Sequence, residues 1–168
     1  KAVTVHGGHN PAGKIACGAS DYIDESKEDR IITKKVIRLL KKNGISSEEI
    51  GALLFVSHSP DYRRPSTAFV LQYRLGIPKE AVCYDISLGC SSLVVGMQTI
   101  ASIMTTSDIK RALVVVGDTA GKSVYPTDKS SAMLFGEAGA VMLLEKTDNE
   151  SDEITALLRS DGSRWWLS

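Results

Sequence analysis

Three short apolar runs, GALLFVSH (Gly51 to His58), AVCYDISL (Ala81 to Leu88) and RALVVVGD (Arg111 to Asp118), alternate along the chain with stretches of helical period. The first predicts a strand buried on both faces and the third another buried strand, while the second is strand-like. A strand covered on both faces needs helices above and below it. The alternation therefore predicts an α/β fold: a mostly parallel, five-stranded-type sheet with helices on both faces. The helices fall between the runs. Lys27 to Asn43 places Ile31, Ile32, Val36, Ile37, Leu39 and Leu40 on one broad face and stops at Asn43-Gly44. Thr67 to Leu75 follows Ser66, a capping residue, and closes at Gly76 and Pro78. Ser91 to Thr106 carries Leu93, Val94, Met97, Ile100, Ala101 and Met104 as its apolar face.

The remainder is less regular. Residues 1–20 read as loop, with Ala2 to Val5 as the one short strand there. Ser130 to Phe135 reads as a short helical piece. Ala140 to Glu145 and Ile154 to Arg159 read as two final strands, expected to pair antiparallel at one end of the sheet. At 168 residues the chain is read as one domain, residues 1–168. With 43% hydrophobic residues it has the composition of a globular protein. Twenty Lys and Arg balance twenty Asp and Glu. A formal net charge of zero gives no electrostatic pull toward nucleic acid or an anionic membrane, so neither is expected as a partner. No apolar run nears the ~20 residues that span a bilayer. Three cysteines, an odd number, argue against a disulfide framework and for a reducing, cytoplasmic setting.

Each cysteine is then either core or a reactive thiol. Cys90 follows a strand, sits after Gly89 and precedes a helix, the strand–turn–helix setting of a nucleophile elbow with Cys in place of Ser. A helix N-terminus favours the thiolate and offers N–H groups to a developing oxyanion. The plain alternative is a small apolar residue at a tight turn. Cys83, inside an apolar run, reads as core. Cys17 lies near His6 and His9, but that spacing matches no compact zinc site, and no metal is expected. FGEAGA (Phe135 to Ala140) lacks both GxGxxG and the Lys-Ser/Thr of a P-loop, so it reads as a bend into a strand rather than a phosphate cradle. His58, at a strand end, has no evident carboxylate to orient it. Arg63-Arg64 reads as a solvated pair, and Trp165-Trp166 as a packing surface for another domain or subunit.

YDISLGCSSLVVGMQ, then RALVVVGD, then PTDKSSAMLFGEAGAVMLLE, resemble in that order the N-terminal half of β-ketoacyl-acyl-carrier-protein synthase III, of the thiolase superfamily. The likeness runs from about Ile45 to Gly162. It implies a thiolase-like half of a five-layer αβαβα core, in an enzyme that dimerises. It implies that Cys90 is catalytic and takes an acyl group from acyl-CoA as a thioester. A malonyl-acyl-carrier protein then loses CO₂, and its carbanion attacks the acyl-Cys to give a 3-ketoacyl product. Acyl-CoA and acyl carrier protein are the implied partners, CoA entering as substrate rather than cofactor.

By the same resemblance Phe135 matches an aromatic residue that packs near the active cysteine. Lys129 matches an Arg that contacts CoA, and Ser130 follows where Gly is usual. Lys keeps the charge but loses the bidentate fork. Arg64 falls where many members carry an apolar residue that reaches into the partner's acyl tunnel. Glu137 and Ala138 replace the usual Asp and Gly. The decarboxylating His and Asn, and a second oxyanion donor, are expected in a C-terminal half that would begin near RSDGSRWWLS. The family's first strand normally lies mid-sheet; either Ala2 to Val5 replaces it or the sheet has a gap. Alternatives of the same superfamily are a 3-hydroxy-3-methylglutaryl-CoA synthase or a polyketide-type synthase. A non-catalytic acyl-binding subunit is the alternative of another class, against which Cys90 stands.

Overall fold

The computed structural model describes residues 2–8, 25–60, 62, 64–119, 125, 127–129, 137–148 and 156–163. Its strands are β1 (Ala2–Gly8), β2 (Ala52–Val56), β3 (Val82–Ile86), β4 (Arg111–Thr119) and β5 (Glu137–Thr147). Its helices are α1 (Glu25–Lys42), α2 (Thr67–Leu75) and α3 (Ser92–Thr106). The strands form one sheet in the order β1-β5-β4-β2-β3. β2 pairs parallel with both β3 and β4, and β5 runs antiparallel between β4 and β1. Four strands therefore point one way and β5 alone is reversed, which is the mostly parallel sheet that the apolar runs predicted.

Both faces are covered. Leu53, Phe55, Leu113, Val115 and Leu143 point to one side, where they meet Val36, Leu39 and Leu40 of α1 and Ala68, Leu71 and Leu75 of α2. The alternate residues Ala52, Leu54, Val56, Ala112, Val114 and Leu144 point to the other, against Ile100, Ala101 and Met104 of α3. Every residue of β2 is buried. A strand with two dry faces has no place for polar alternation, which is why the sequence shows none.

Three expectations need correction. Ala156 to Arg159 lie in no strand, and Leu157 and Leu158 are 76% and 45% exposed. Both hydrogen-bonding edges of β5 are already taken, by β4 and β1, so the final run has no partner there. The first strand is longer than Ala2 to Val5 and lies at the sheet edge, not its middle. The middle is β4, and among the described residues the sheet has no gap. Finally, Glu137 to Ala140 do not bend into β5 but already belong to it: Gly139 sits opposite Gly117, where a Cβ on Gly117 would come within 3.3 Å of the Ala138 carbonyl oxygen. The short helix expected at Ser130 to Phe135 lies outside the described residues. A 3₁₀ turn at Ser47–Glu49, closed by a capping box between Ser46 and Glu49, was not read from the sequence, although Ser-x-x-Glu is its usual signature.

One glycine sets the spacing of α3 from the sheet. A Cβ on Gly96 would fall 2.8 Å from Leu54 Cδ2 and 3.3 Å from Val56 Cγ2, and both of those side chains are buried. Replacing Gly96 by Val gains at most about 1 kcal/mol of helix propensity. It forces overpacking that costs about 1–3 kcal/mol, more for a branched side chain than for Ala. Gly96→Val is therefore expected to lower the urea midpoint of unfolding, and an unchanged midpoint would show that α3 can stand off the sheet.

Candidate active site

In a parallel sheet all strands deliver their C-terminal ends to one edge. Here Val56 of β2 lies level with Ile86 of β3 and with Val116 of β4. The segments just beyond those three residues are brought together: Ser57 to Ser59, Ser87 to Cys90, and Asp118 with Thr119. The Ser57 N–H donates to the Ile86 carbonyl at 3.2 Å, which holds the first two segments side by side.

The turn from β3 into α3 is built by four residues. Gly89 adopts φ +63°, a left-handed conformation that costs a residue with a Cβ about 1–2 kcal/mol. The two serines after Cys90 lock the turn from inside. Ser92, 2% exposed, accepts the Leu88 N–H on its hydroxyl at 2.6 Å, and the Ser91 hydroxyl donates to the Leu88 carbonyl at 3.0 Å. The Ser92 N–H closes onto the Gly89 carbonyl at 3.1 Å. Cys90 is left exposed at the tip, one residue before the N-cap Ser91. The first turn of α3 holds no acidic residue, so nothing on the helix offsets the positive end of its dipole beside the sulfur. This is an elbow that presents an exposed thiol at the N-terminal end of a helix.

Cys83, seven residues earlier, is the opposite case. It is half-buried against the α1–α2 side of the sheet, and burial pushes its thiol up, only partly offset by a hydrogen bond with the Leu53 backbone. Because only the thiolate attacks, Cys83 should resist alkylation until the pH is well above that needed for a free thiol. Iodoacetamide near neutral pH, followed by peptide mapping, should therefore modify Cys90 before Cys83. Equal labelling of the two would remove the distinction.

Two carboxylates stand at the same edge. Asp118 accepts the His58 N–H at 2.6 Å, so the carboxylate near His58 is bound to its backbone. Asp85, on β3, accepts the N–H groups of Thr67 and Ala68 at 2.7 and 2.9 Å. Ser66 occupies the N-cap position of α2 but makes no side-chain cap bond; the cap comes from 18 residues downstream. Local sequence reading looks for a cap within three residues, and a cross-strand cap leaves no such trace. Burial pushes the Asp85 carboxyl up, while the two N–H donors act the other way. With the folded value raised, the Asp85 contribution to stability is fully present below the ordinary carboxylate pKa of about 3.9 and is lost as pH rises through the elevated one. The stability of the native chain relative to Asp85→Asn should thus fall with rising pH across that window. A flat difference in urea unfolding against pH would contradict this.

The remaining candidates are scattered. Arg64 is exposed, three residues before α2. Lys129 is exposed on the connection from β4 to β5, beside an Asp128 N–H to Tyr125 carbonyl bond of 2.9 Å. Ser130, Phe135, Cys17, His9 and the Trp pair lie outside the described residues. No described helix is long and apolar enough to cross a membrane.

The comparisons agree with this geometry. Residues 84–162, which begin on β3 and include the elbow, match the family of 3-oxoacyl-[acyl-carrier-protein (ACP)] synthase III. A β-ketoacyl-[acyl-carrier-protein] synthase III from Clostridium beijerinckii is 35% identical over 144 residues, 84% of this chain and 44% of that protein. The solved 3-oxoacyl-(acyl-carrier protein) synthase from Burkholderia xenovorans superposes with a TM-score of 0.69 at 31% identity, over 88% of this chain and 48% of that one. Over most of its length the chain is similar to these synthases. OleA from Xanthomonas campestris shares the fold at 26% identity, with a TM-score of 0.60 over 73% of this chain and 42% of that one. The chain thus spans about half the length of the relatives it matches, and the family resemblance read from the Cys and Gly motifs holds across the described core.

Proposed function

We propose that this chain is the nucleophile-bearing part of a condensing acyltransferase of the 3-oxoacyl-acyl-carrier-protein synthase III type, acting at the start of fatty acid biosynthesis. The observation that carries the reading is the elbow. An exposed Cys90 stands on a left-handed Gly89 turn, ahead of a helix whose first turn is free of acidic residues, within a segment that matches the synthase III family. The thiolate sulfur of Cys90 attacks the carbonyl carbon of an acyl-CoA. A new C–S bond forms, the bond to CoA breaks, and CoA leaves as a thiolate that takes up a proton. A thiol suits both halves of the cycle, being a strong nucleophile and a good leaving group. In the second half a malonyl-acyl-carrier protein loses CO₂, the resulting enolate carbon attacks the acyl-Cys carbonyl, and the Cys90 thiolate departs. The positive end of α3 lies where the thioester oxygen gains charge.

Other assignments belong to this reading. Lys129 supplies a cation for the phosphates of CoA; Ser130 and Phe135 are assigned to the substrate site by the resemblance alone. Arg64 replaces an apolar wall residue at the acyl site, which favours a short or polar acyl group over a long chain. The protein acts in the cytoplasm as a homodimer; the exposed edge strand β3, with Val82 at 41%, and the outward Phe69 and Tyr73 of α2 are surfaces that a second subunit would cover.

Incubation with acetyl-CoA, followed by intact-mass measurement and peptide mapping, tests the first step. One acetyl group on Cys90 is expected, and Cys90→Ala should abolish the adduct while the far-UV spectrum stays native. An adduct retained in Cys90→Ala would exclude the mechanism.

A further inference from the structure

The connection from β2 to α2 is fastened at both ends by carboxylates of neighbouring strands. At its start, a single oxygen of Asp118, Oδ1, accepts the Ser57 hydroxyl at 3.1 Å, the His58 N–H at 2.6 Å, the Ser59 N–H at 3.0 Å and the Ser59 hydroxyl at 3.1 Å. Ser59 Oγ in turn accepts the Thr119 N–H at 2.9 Å, so the tie to β4 is double. At its far end, the two oxygens of Asp85 take one N–H each from Thr67 and Ala68. An ionised carboxylate offers about four lone-pair sites on its two oxygens. Four donors converging on one oxygen specify position far more tightly than a solvated turn requires. Bonds to a charged acceptor are also roughly twice as strong as neutral ones.

Both anchors are coupled to the elbow through the backbone. Asp85 lies on β3 five residues before Cys90. The Ser57 N–H is bonded to the Ile86 carbonyl, next to Asp85 on the same strand. The start of the connection and the start of α2 are thus referenced to the strand that carries the nucleophile. We propose that Asp118 and Asp85 are positioning residues: they hold the two ends of the β2–α2 connection at the sheet edge from which the Cys90 turn emerges, and so set how a large acyl donor approaches the thiol. This rests on the acyl-transfer reading for the identity of the donor, but not for the geometry.

The test uses the full chain with Asp118→Asn and Asp85→Asn, each of which keeps size and removes charge. Native-state hydrogen exchange should rise by about tenfold at His58 and Ser59 in the first variant and at Thr67 and Ala68 in the second, with Leu53 to Phe55 unchanged. Alkylation of Cys90 by iodoacetamide should stay within about twofold of the native rate, since a small reagent needs only the elbow. Acylation by acetyl-CoA should fall by about tenfold, because a large donor depends on fixed geometry. The ratio of fluorescein-maleimide to iodoacetamide rates at Cys90, which needs no CoA recognition, should rise by roughly threefold as the wall loosens. An unchanged ratio, unchanged exchange at the pinned amides, or equal acceleration at Leu53 to Phe55 would overturn the proposal. A native chain inert to acetyl-CoA whose reagent ratio still shifts in both variants would overturn the acyl-transfer reading and leave the positioning role standing.

Discussion

The parallel register of β2, β3 and β4 is the constraint on which the rest depends. It is held by burial on both faces, since β2 has no exposed residue and β4 beside it is nearly as dry. Because the strands share direction and their ends are level, three separate turns reach one edge. The site is thus a consequence of the core. Slipping β2 by a residue would exchange Leu54 and Phe55 between two differently packed faces, and would shift Ser57 and Ser59 away from Asp118. Hydrophobic burial and site assembly are here one and the same selection.

How much of this was legible in the sequence depends on which interactions are local. The apolar runs and the helix periods located β2, β3, β4, α2 and α3 to within a residue or two; in β2 and β4 burial on both faces writes itself as uninterrupted Val, Leu, Ile and Ala, whereas β3, at the sheet edge, is only partly covered. The elbow was legible too, since Gly-Cys before a helical period states the turn, the exposure and the helix end within three residues. The hidden part is the set of bonds that cross between segments. Nothing near Ser66 announces that its helix is capped by Asp85, and nothing near His58 announces Asp118. The run Ala156 to Arg159 failed for a similar reason: propensity describes a strand, but a strand exists only if an edge is free, and β1 had taken it.

The comparisons supply what neither periodicity nor geometry carries. A thiol on an elbow is compatible with several acyl transfers, and a fold alone does not choose among them. The match over residues 84–162 covers the nucleophile and the strand pair β4–β5, but the chain spans less than half of the Clostridium relative. The acyl-transfer proposal therefore rests on the elbow together with that match.

The contrast between Cys83 and Cys90 shows how one strand and its turn place one thiol half-buried and another in solvent. The two are seven residues apart and share the same chain direction. Cys83 is half-buried against the helices that cover the sheet, where the charged form loses part of its hydration and the thiol is pushed up. Cys90 lies just past the point where that cover ends. There the sulfur keeps its solvent, and it gains the field of α3 instead of the apolar side chains of α1 and α2. The distinction needs no catalytic partner and no special residue at either position. It is set by where the strand leaves the core, and that point is fixed by Gly89, which turns the chain out, and by Ser91 and Ser92, which satisfy the Leu88 backbone as it does so. Which thiol meets solvent is thus fixed by the end of the sheet, and the serines that finish the sheet also shape the turn that carries Cys90.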